Sequence, residues 1–449
     1  MKRLPEEYVE RMKSLLGEDY SRYESELNNP PVKAFRVNTD KISLEEFEKY
    51  NVFSKEKIPY VQNGFYLDYE KIGNHPFHHA GLIYVQEPAA MAPAECLDID
   101  EAWCVLDMCA APGGKSTQLK NKLSENGVLV SNEIIPSRCK ILAGNVERLG
   151  LHNTIVTCMD TARLANTFEG VFDLVMVDAP CSGEGMFRKE EIAVDEWSAD
   201  NVTACAERQA EILDNAVKVL KSGGYIIYAT CTFSPEENEM TVDAFLKRYP
   251  EFEILPVNER VRESTCDGIK FSGCSCENIS FARRFYPHKA LGEGQFMALL
   301  HHKGDHTKSP SAVMQNQKIG CEVLEFLNDT LTFYNPDYVR EYNGNYVYYN
   351  GRLPIEKGQA FCCGVTVGTL QKGRIVPHHQ FFTALGKNFK RRINLTLDDE
   401  RLKKYLHGEE IETDCENGWA VVTVEGYALG GAKVSNGTAK NHYPKGLRK

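Results

Sequence analysis

The sequence predicts an α/β protein built on a mostly parallel, doubly wound sheet, preceded by a helix-rich α+β segment and followed by a smaller α+β module. Three observations predict it. From Trp103 onward, strand-like and helix-like stretches alternate as repeated strand–helix units do. Val105-Leu106-Asp107-Met108-Cys109-Ala110-Ala111-Pro112-Gly113-Gly114-Lys115-Ser116 begins as an apolar strand, breaks at Pro-Gly-Gly and resumes as a helix through Thr117, Leu119 and Leu123. This is the first unit of an open sheet in which a ligand meets the strand's C-terminal end. Asp107, Glu133, Asp178 and Cys231 stand at strand ends, with Asp160 just beyond another, so the architecture brings all five to one edge.

Taken in order, residues 1–100 form the helix-rich segment. Pro5 to Leu16 and a second stretch to Leu27 read as helices, stopped by Pro30-Pro31. Ala34 to Asn38 alternates as a short strand, Ser43 with Glu46 forms a capping box, and Ala89 to Ala94 reads as a helix beneath the first core strand. His75, His78 and His79 read as loop histidines, because no carboxylate or thiol lies at metal-ligand spacing; no metal is expected.

Residues 101–302 form the core. Val128 to Glu133 is a second strand, Pro136 to Leu149 a helix closed by Gly150, Thr154 to Cys158 a third strand, and Phe172 to Val177 a fourth. Residues 204–221 read as a helix with Ile212, Leu213, Val217 and Leu220 on one face, stopped by Gly223-Gly224. Tyr225 to Thr230 is a fifth strand, and Ser234-Pro235-Glu236-Glu237 reads as another capping box. Phe252 to Leu255 and Phe296 to Leu300 complete the sheet. Residues 303–318 read as a polar linker. Residues 319–449 carry short alternating strands (346–349, 419–424) and turn glycines, and read as a separate module.

Composition narrows the functions. The chain has 449 residues, 42% hydrophobic and 26% charged, which is ordinary for a soluble globular protein. No run reaches the length of a membrane span, and residues 1–20 lack a signal-peptide core. Fifteen scattered cysteines without paired zinc spacings suit reduced thiols in the cytoplasm. A net charge of −11 excludes a protein that coats nucleic acid indiscriminately but leaves room for a local basic groove. Lys387, Lys390, Arg391 and Arg392 form one such cluster; Lys440, Lys445, Arg448 and Lys449 form another; each is as well read as solvated surface.

The glycine loop is not a P-loop, because Cys109 stands where that motif needs glycine, and the dinucleotide pattern G-x-G-x-x-G is absent. What remains is an adenosyl ligand without a phosphate chain, such as S-adenosylmethionine, whose carboxylate suits a helix start, or an ordinary tight turn. Glu133 follows at the interval of a ribose-binding acid, and a carboxylate accepts two hydrogen bonds from a diol. Asp160 reads equally as an acceptor from an adenine amino group or as structure.

Two cysteines follow strands beside this crevice, in Asp178-Ala179-Pro180-Cys181 and in Ala229-Thr230-Cys231-Thr232-Phe233-Ser234. Carbon 5 of a pyrimidine is a poor nucleophile, and a thiolate adding at carbon 6 makes it one, which is covalent catalysis. The residues alone do not rank the two thiols.

Together with Cys109-Ala-Ala-Pro-Gly-Gly-Lys115, these motifs resemble the RNA cytosine-5 methyltransferases of the RsmB/NOP (NOP/Sun) family. Arg36-Val-Asn38 and Gln86-Glu87-Pro88 resemble its upstream segments. Asn436-Gly437 with Lys440 to Gly446 resembles the PUA-like end of its RsmF branch, which methylates bacterial 16S ribosomal RNA. The resemblance implies a class I Rossmann-like methyltransferase core with a PUA-like module, and S-adenosyl-L-methionine as cofactor. Cys109, Ala110, Ala111, Pro112, Gly113, Gly114 and Lys115 would hold its methionine part. Glu133 would bind its ribose, Asp160 would lie by adenine, and Asp178 would sit between cofactor and base. Cys231 would be the nucleophile and Cys181 would assist release. DNA cytosine-5 enzymes use the Pro-Cys thiol, so the added Thr230-Cys231 points to RNA. The implied partner is small-subunit ribosomal RNA or the subunit, gripped by the C-terminal module, with Arg188 and Lys189 as candidate phosphate contacts and a monomeric enzyme. Transfer RNA methylation within the family, and a non-catalytic RNA-binding assembly factor, are the alternatives.

Overall fold

The computed structural model describes residues 3–54, 56–305, 314 and 317–448. Most of the 303–318 stretch read as a linker, and Lys449, lie outside the described residues. Three short strands, β1 (Ala34–Val37), β2 (Gly64–Tyr66) and β3 (Ile83–Val85), make an antiparallel N-terminal sheet in the order β2-β1-β3. Helices Glu6–Leu16 and Tyr20–Glu26 precede it. Ser43 caps the helix Leu44–Tyr50 as expected, its hydroxyl accepting the Glu46 N–H at 3.2 Å. His78 and His79 are not in a loop but in a helix. His75 caps the single-turn helix Pro76–His79, and buried His79 meets the Tyr443 hydroxyl at 3.1 Å.

The core sheet contains β4 (Cys104–Asp107), β5 (Val128–Asn132), β6 (Thr154–Thr157), β7 (Phe172–Asp178), β8 (Leu220–Thr230), β9 (Phe252–Leu255), β10 (Cys266–Asp267), β11 (Arg283–Phe285) and β12 (Gln295–His302). Strands β8-β7-β4-β5-β6 run parallel, and β12 and β11 are added antiparallel at the β8 side. Val105, Leu106, Leu129, Val130, Val175 and Val177 are sealed on both faces, as parallel strands covered by crossover helices require. One face is covered by the helix Ala199–Val219 and its neighbours, the other by the 3-10 helix Ala89–Glu95. Asp107 pairs with Ser131 and Met176, and Asp178 with Ala229, so the strand ends form one edge.

Two local expectations fail for physical reasons. The helix Ala199–Val219 begins on its Ser198 cap and ends before the glycines. Gly223 and Gly224 lie inside β8, where the register against β7 shifts between Phe172 and Leu174. A Cβ at Gly224 would sit 2.9 Å from the Asp173 carbonyl, so the pair serves a bulge and not a helix stop. Ser234-Pro235-Glu236-Glu237 is a turn; the following helix is Glu239–Arg248, and Glu237 points back into the core instead of capping.

The C-terminal region holds β13 (Val339–Tyr342), β14 (Asn345–Tyr348), β15 (Cys362–Cys363), β16 (Val365–Gln371) and β17 (Arg374–Pro377), followed by β18 (Arg392–Leu395), β19 (Ile411–Glu412), β20 (Gly418–Val424), β21 (Tyr427–Ser435) and β22 (Thr438–Asn441). These form a four-stranded sheet, β13-β14-β16-β17, and a five-stranded one, β18-β20-β21-β22-β19. The region is not walled off from the core. β15 pairs antiparallel with β6, Cys362 opposite Val156, and thereby covers the edge of the core sheet. Tyr349, Leu353 and Ile355 join the apolar cluster around Leu106 and Val175, and the N-terminal sheet shares a cluster with Ile393, Val422 and Tyr443. Among the described residues no helix is long and apolar enough to cross a membrane.

Candidate active site

The loop after β4 is fixed from beneath. The buried Arg36 guanidinium donates to Gln86 Oε1 (2.9 Å), to the Gly114 carbonyl (2.8 Å) and to Thr117 Oγ1 (2.8 Å). Gly113 has φ +112°, which favours glycine, and a Cβ at Gly114 would press on Gln86 Nε2 at 3.0 Å. The helix that follows, Gly114–Lys120, is short. Its Ser116 hydroxyl donates to Asp107 Oδ2 at 2.6 Å. Asp107 is fully buried, and burial pushes its carboxyl up to about 7. It is therefore the floor of the loop and not a ligand-facing acid.

The other strand-end groups gather around this loop. Lys115 Nζ lies 2.8 Å from Asp178 Oδ2. Burial works against its charge, and the Asp178 carboxylate overcomes that, holding the ammonium above the ordinary lysine value. Glu133 is buried; its Oε1 accepts the Ile135 N–H at 2.9 Å, and Arg138 approaches Oε2 at 3.4 Å while donating to the Ala111 carbonyl at 2.8 Å. Burial and the carboxylates of Asp107, Asp178 and Glu133 together raise the Cys109 thiol, which places Cys109 among them. Asp160 is exposed and caps the helix Thr161–Thr167, accepting the Arg163 N–H at 2.8 Å.

The two thiols meet. Cys181 Sγ and Cys231 Sγ are 3.3 Å apart, although 50 residues separate them in the chain. Both are free and half-buried. The hydrogen bond with Cys231, added to burial, holds the Cys181 thiol well above the usual cysteine range. The backbone beside them is tied across: Ala179 N–H donates to the Ala229 carbonyl (2.9 Å) and Gly185 N–H to that of Cys231 (2.8 Å). Buried Glu184 joins the two loops by accepting from Trp197 Nε1 (2.8 Å), the Phe233 N–H (2.9 Å) and Ser234 Oγ (2.7 Å).

The expected phosphate contacts do not fare as well. Arg188 is sealed, its guanidinium held by Glu293, by Glu26 and by the Gly292 carbonyl. It cannot reach a phosphate without breaking that set. In the 387–392 cluster, Arg391 grips Asp329 with two bonds of 2.8 and 3.0 Å, and Arg392 donates to the carbonyls of Gly386 (2.8 Å) and Gly426 (3.0 Å). Lys387 reaches the Asp40 carbonyl at 3.3 Å and Lys390 that of Asn328. These cations knit segments of the protein together.

Comparison with known proteins places the chain in a family. The family model of 16S rRNA methyltransferase RsmB/F matches residues 94–301. Those of the N-terminal domain of 16S rRNA methyltransferase RsmF and of the RsmF PUA domain match residues 4–88 and 392–449. The chain belongs to the RsmB/F family. Ribosomal RNA small subunit methyltransferase F of Vibrio cholerae is 38% identical over 248 residues, 53% of this chain and 52% of that protein. Its alignment thus spans about half the length of that relative. The Vibrio campbellii protein of the same name is 29% identical and aligns over 99% of this chain and 97% of its own length. The solved structure of a methyltransferase homolog from Pyrococcus horikoshii is 30% identical, covers 66% of this chain and 94% of that one, and superposes with a TM-score of 0.58. The RsmB/F match takes in both thiols and the glycine loop. The C-terminal match assigns the five-stranded sheet to a PUA domain, the kind of module that the resemblance implied.

Three contributors escaped the sequence reading of the site. Gln209 sits on a helix face read only as core packing, Glu184 in a loop read only for Asp178 and Cys181, and Glu237 in a pattern read as a cap.

Proposed function

We propose that this chain transfers a methyl group from S-adenosyl-L-methionine to carbon 5 of a cytosine in small-subunit (16S) ribosomal RNA through a covalent cysteine adduct. The observation that carries the reading is the pair of thiols 3.3 Å apart at the ends of β7 and β8, beside an Asp178 carboxylate held by Lys115. The residues present fit the cofactor. Its cationic sulfonium and ammonium groups suit an edge lined by the Glu133 and Asp178 carboxylates, and its carboxylate suits the start of Gly114–Lys120. The 109–115 loop, Glu133, Asp160 and Asp178 would hold it. When bound, it supplies an electrophilic methyl.

The chain's own groups do the rest. Cys231 gives up its thiol proton to solvent and its sulfur forms a bond to carbon 6 of the cytosine, which places electron density at carbon 5. Asp178 orients the ring and stabilises protonation at its ring nitrogen, while Lys115 fixes the carboxylate. After methylation the carbon-5 proton leaves to solvent water with Cys181 assisting, the pair it leaves forms the carbon 5–carbon 6 double bond, and the sulfur–carbon 6 bond breaks with its electron pair returning to Cys231. A target cytosine must leave any stack to reach this edge, and the PUA domain supplies a place for the flanking RNA.

The test is adduct trapping with RNA from a strain lacking the enzyme. Cys231→Ala is expected to abolish methyl transfer. Cys181→Ala is expected to accumulate an RNA–protein adduct that survives denaturation. An active Cys231→Ala, with no adduct from Cys181→Ala, would reverse the two roles. Bisulfite sequencing of ribosomal RNA from the same strain identifies the cytosine.

A further inference from the structure

The two thiols are held in different ways. Cys231 follows directly from β8, whose backbone is paired on both sides by β7 and β12. Cys181 stands three residues past the end of β7, in a loop between Pro180 and Ser182. What holds this loop comes from below. Glu237 Oε2 accepts the Ser182 N–H at 3.0 Å, and Glu237 Oε1 accepts the Ser182 hydroxyl. The Gln209 amide donates to the Pro180 carbonyl at 3.0 Å and to Glu237 Oε2 at 2.7 Å. The residue before Cys181 and the residue after it are thus clamped by one carboxylate–amide pair. Both clamp side chains are fully buried. The clamped Ser182 in turn reaches the other loop, its Oγ lying 2.8 Å from Thr232 Oγ1, next to Cys231. The Tyr228 hydroxyl, 3.0 Å from Gln209 Oε1 and 2.6 Å from the Glu237 carbonyl, locks the clamp to β8.

A buried carboxylate is costly unless donors satisfy it. Burial pushes Glu237 up to about 7, and the bonds from Ser182 and Gln209 hold it back from going further. A neutral apolar contact would carry the same loop at lower cost, so the arrangement asks for a reason beyond the fold. Directional bonds on both flanks fix where the intervening sulfur sits, as packing alone does not.

We propose that Glu237, with Gln209, is the positioning residue that seats the Cys181 thiol against Cys231 and so governs release of the methylated base, not the methyl transfer itself. This rests on the reading of Cys181 as the release thiol. Glu237 touches neither thiol; it acts through Ser182. Loosening the clamp should therefore reproduce a weakened form of Cys181→Ala.

The experiment compares wild type, Cys181→Ala, Glu237→Gln and Gln209→Ala on small-subunit RNA from a strain lacking the enzyme, with tritiated S-adenosylmethionine. Three quantities are measured: the first methyl transfer, steady-state turnover, and the denaturation-resistant adduct. Because a 1 Å misplacement of a reacting group costs up to about a hundredfold, both clamp variants are expected to lose roughly ten- to a hundredfold in turnover. They should keep the first transfer and accumulate adduct. A merely structural role would lower all three together. The inference is overturned if both clamp variants turn over as wild type without extra adduct. It is equally overturned if both lose first transfer and adduct together, which would assign the clamp to the fold or to Cys231. If Cys181→Ala itself gives no adduct while wild type methylates, the role of Cys181 has failed, and that failure is visible before any clamp variant is read.

Discussion

The two edges of the core sheet are built from different materials. At the edge where β4, β5, β7 and β8 end, buried polar groups are paired across loops: Asp107 with Ser116, Lys115 with Asp178, Glu184 with Ser234, and Glu237 with Ser182 and Gln209. At the lateral edge, β6 is covered by β15, and the neighbouring contact is apolar and aromatic, with Tyr349, Leu353 and Ile355 packed into the core. Polar pairing fixes directions, which a reacting thiol needs; apolar packing contributes area, which stability needs. Damage at the first edge should appear in chemistry and damage at the second in melting.

The largest expected effect that tests this contrast is at Lys115. Lys115→Met leaves Asp178 without its cation, and methyl transfer should fall by about a hundredfold or more if preorganised charge carries the step. Single-turnover kinetics with melting curves measure it; a variant that melts earlier but transfers normally would erase the distinction between the edges. Next is Tyr349→Ala. Truncating a fully buried aromatic costs about 3–5 kcal/mol, and denaturant titration should show that loss while the turnover of the folded fraction stays unchanged.

The two regions should also answer pH in opposite directions. Burial lowers His379, in the C-terminal region, from 6.5 to about 3. The folded state there binds its proton more weakly than the unfolded chain, so its stabilising contribution is present above the ordinary histidine value and is lost as pH falls from 6.5 toward 3. Burial raises Asp107 from 3.8 to about 7. Its contribution is present below the ordinary aspartate value and is lost as pH rises through about 7. Asp107→Asn should flatten stability between those limits and His379→Phe should flatten the acid limb, both read by urea titration across pH. Smaller still, Tyr443→Phe removes the bond to His79 and should cost about 1 kcal/mol. Arg391→Ala breaks a partly exposed pair with Asp329 and should cost roughly 0.2–1 kcal/mol, less at high salt.

The alternation of strands and helices from Trp103 to Leu300 was legible because each strand is a short apolar run and each turn carries its own glycine, proline or cap. Gly150, which closes the helix Pro136–Leu149, is read correctly for the same reason: its backbone demand is local. Gly223-Gly224 and Ser234 to Glu237 were misread because both sit where a distant partner overrides the local preference. β7 claims the glycines for a bulge, and Ser182, 55 residues away, claims Glu237. The basic clusters were legible as charge but not as function, since whether an arginine faces solvent or a carboxylate such as Asp329 is decided by the neighbouring segment.

By itself, then, the order of residues determined the doubly wound sheet, the glycine loop at the end of β4 and the presence of two thiols and an acid at or just past strand ends, because periodicity and turn chemistry act over a few residues. The tertiary structure alone decided that Cys181 and Cys231 meet at 3.3 Å, that Glu237 and Gln209 clamp the Cys181 loop, and that β15 covers β6. Those facts depend on distances between groups far apart along the chain, which only the packing of the whole molecule sets.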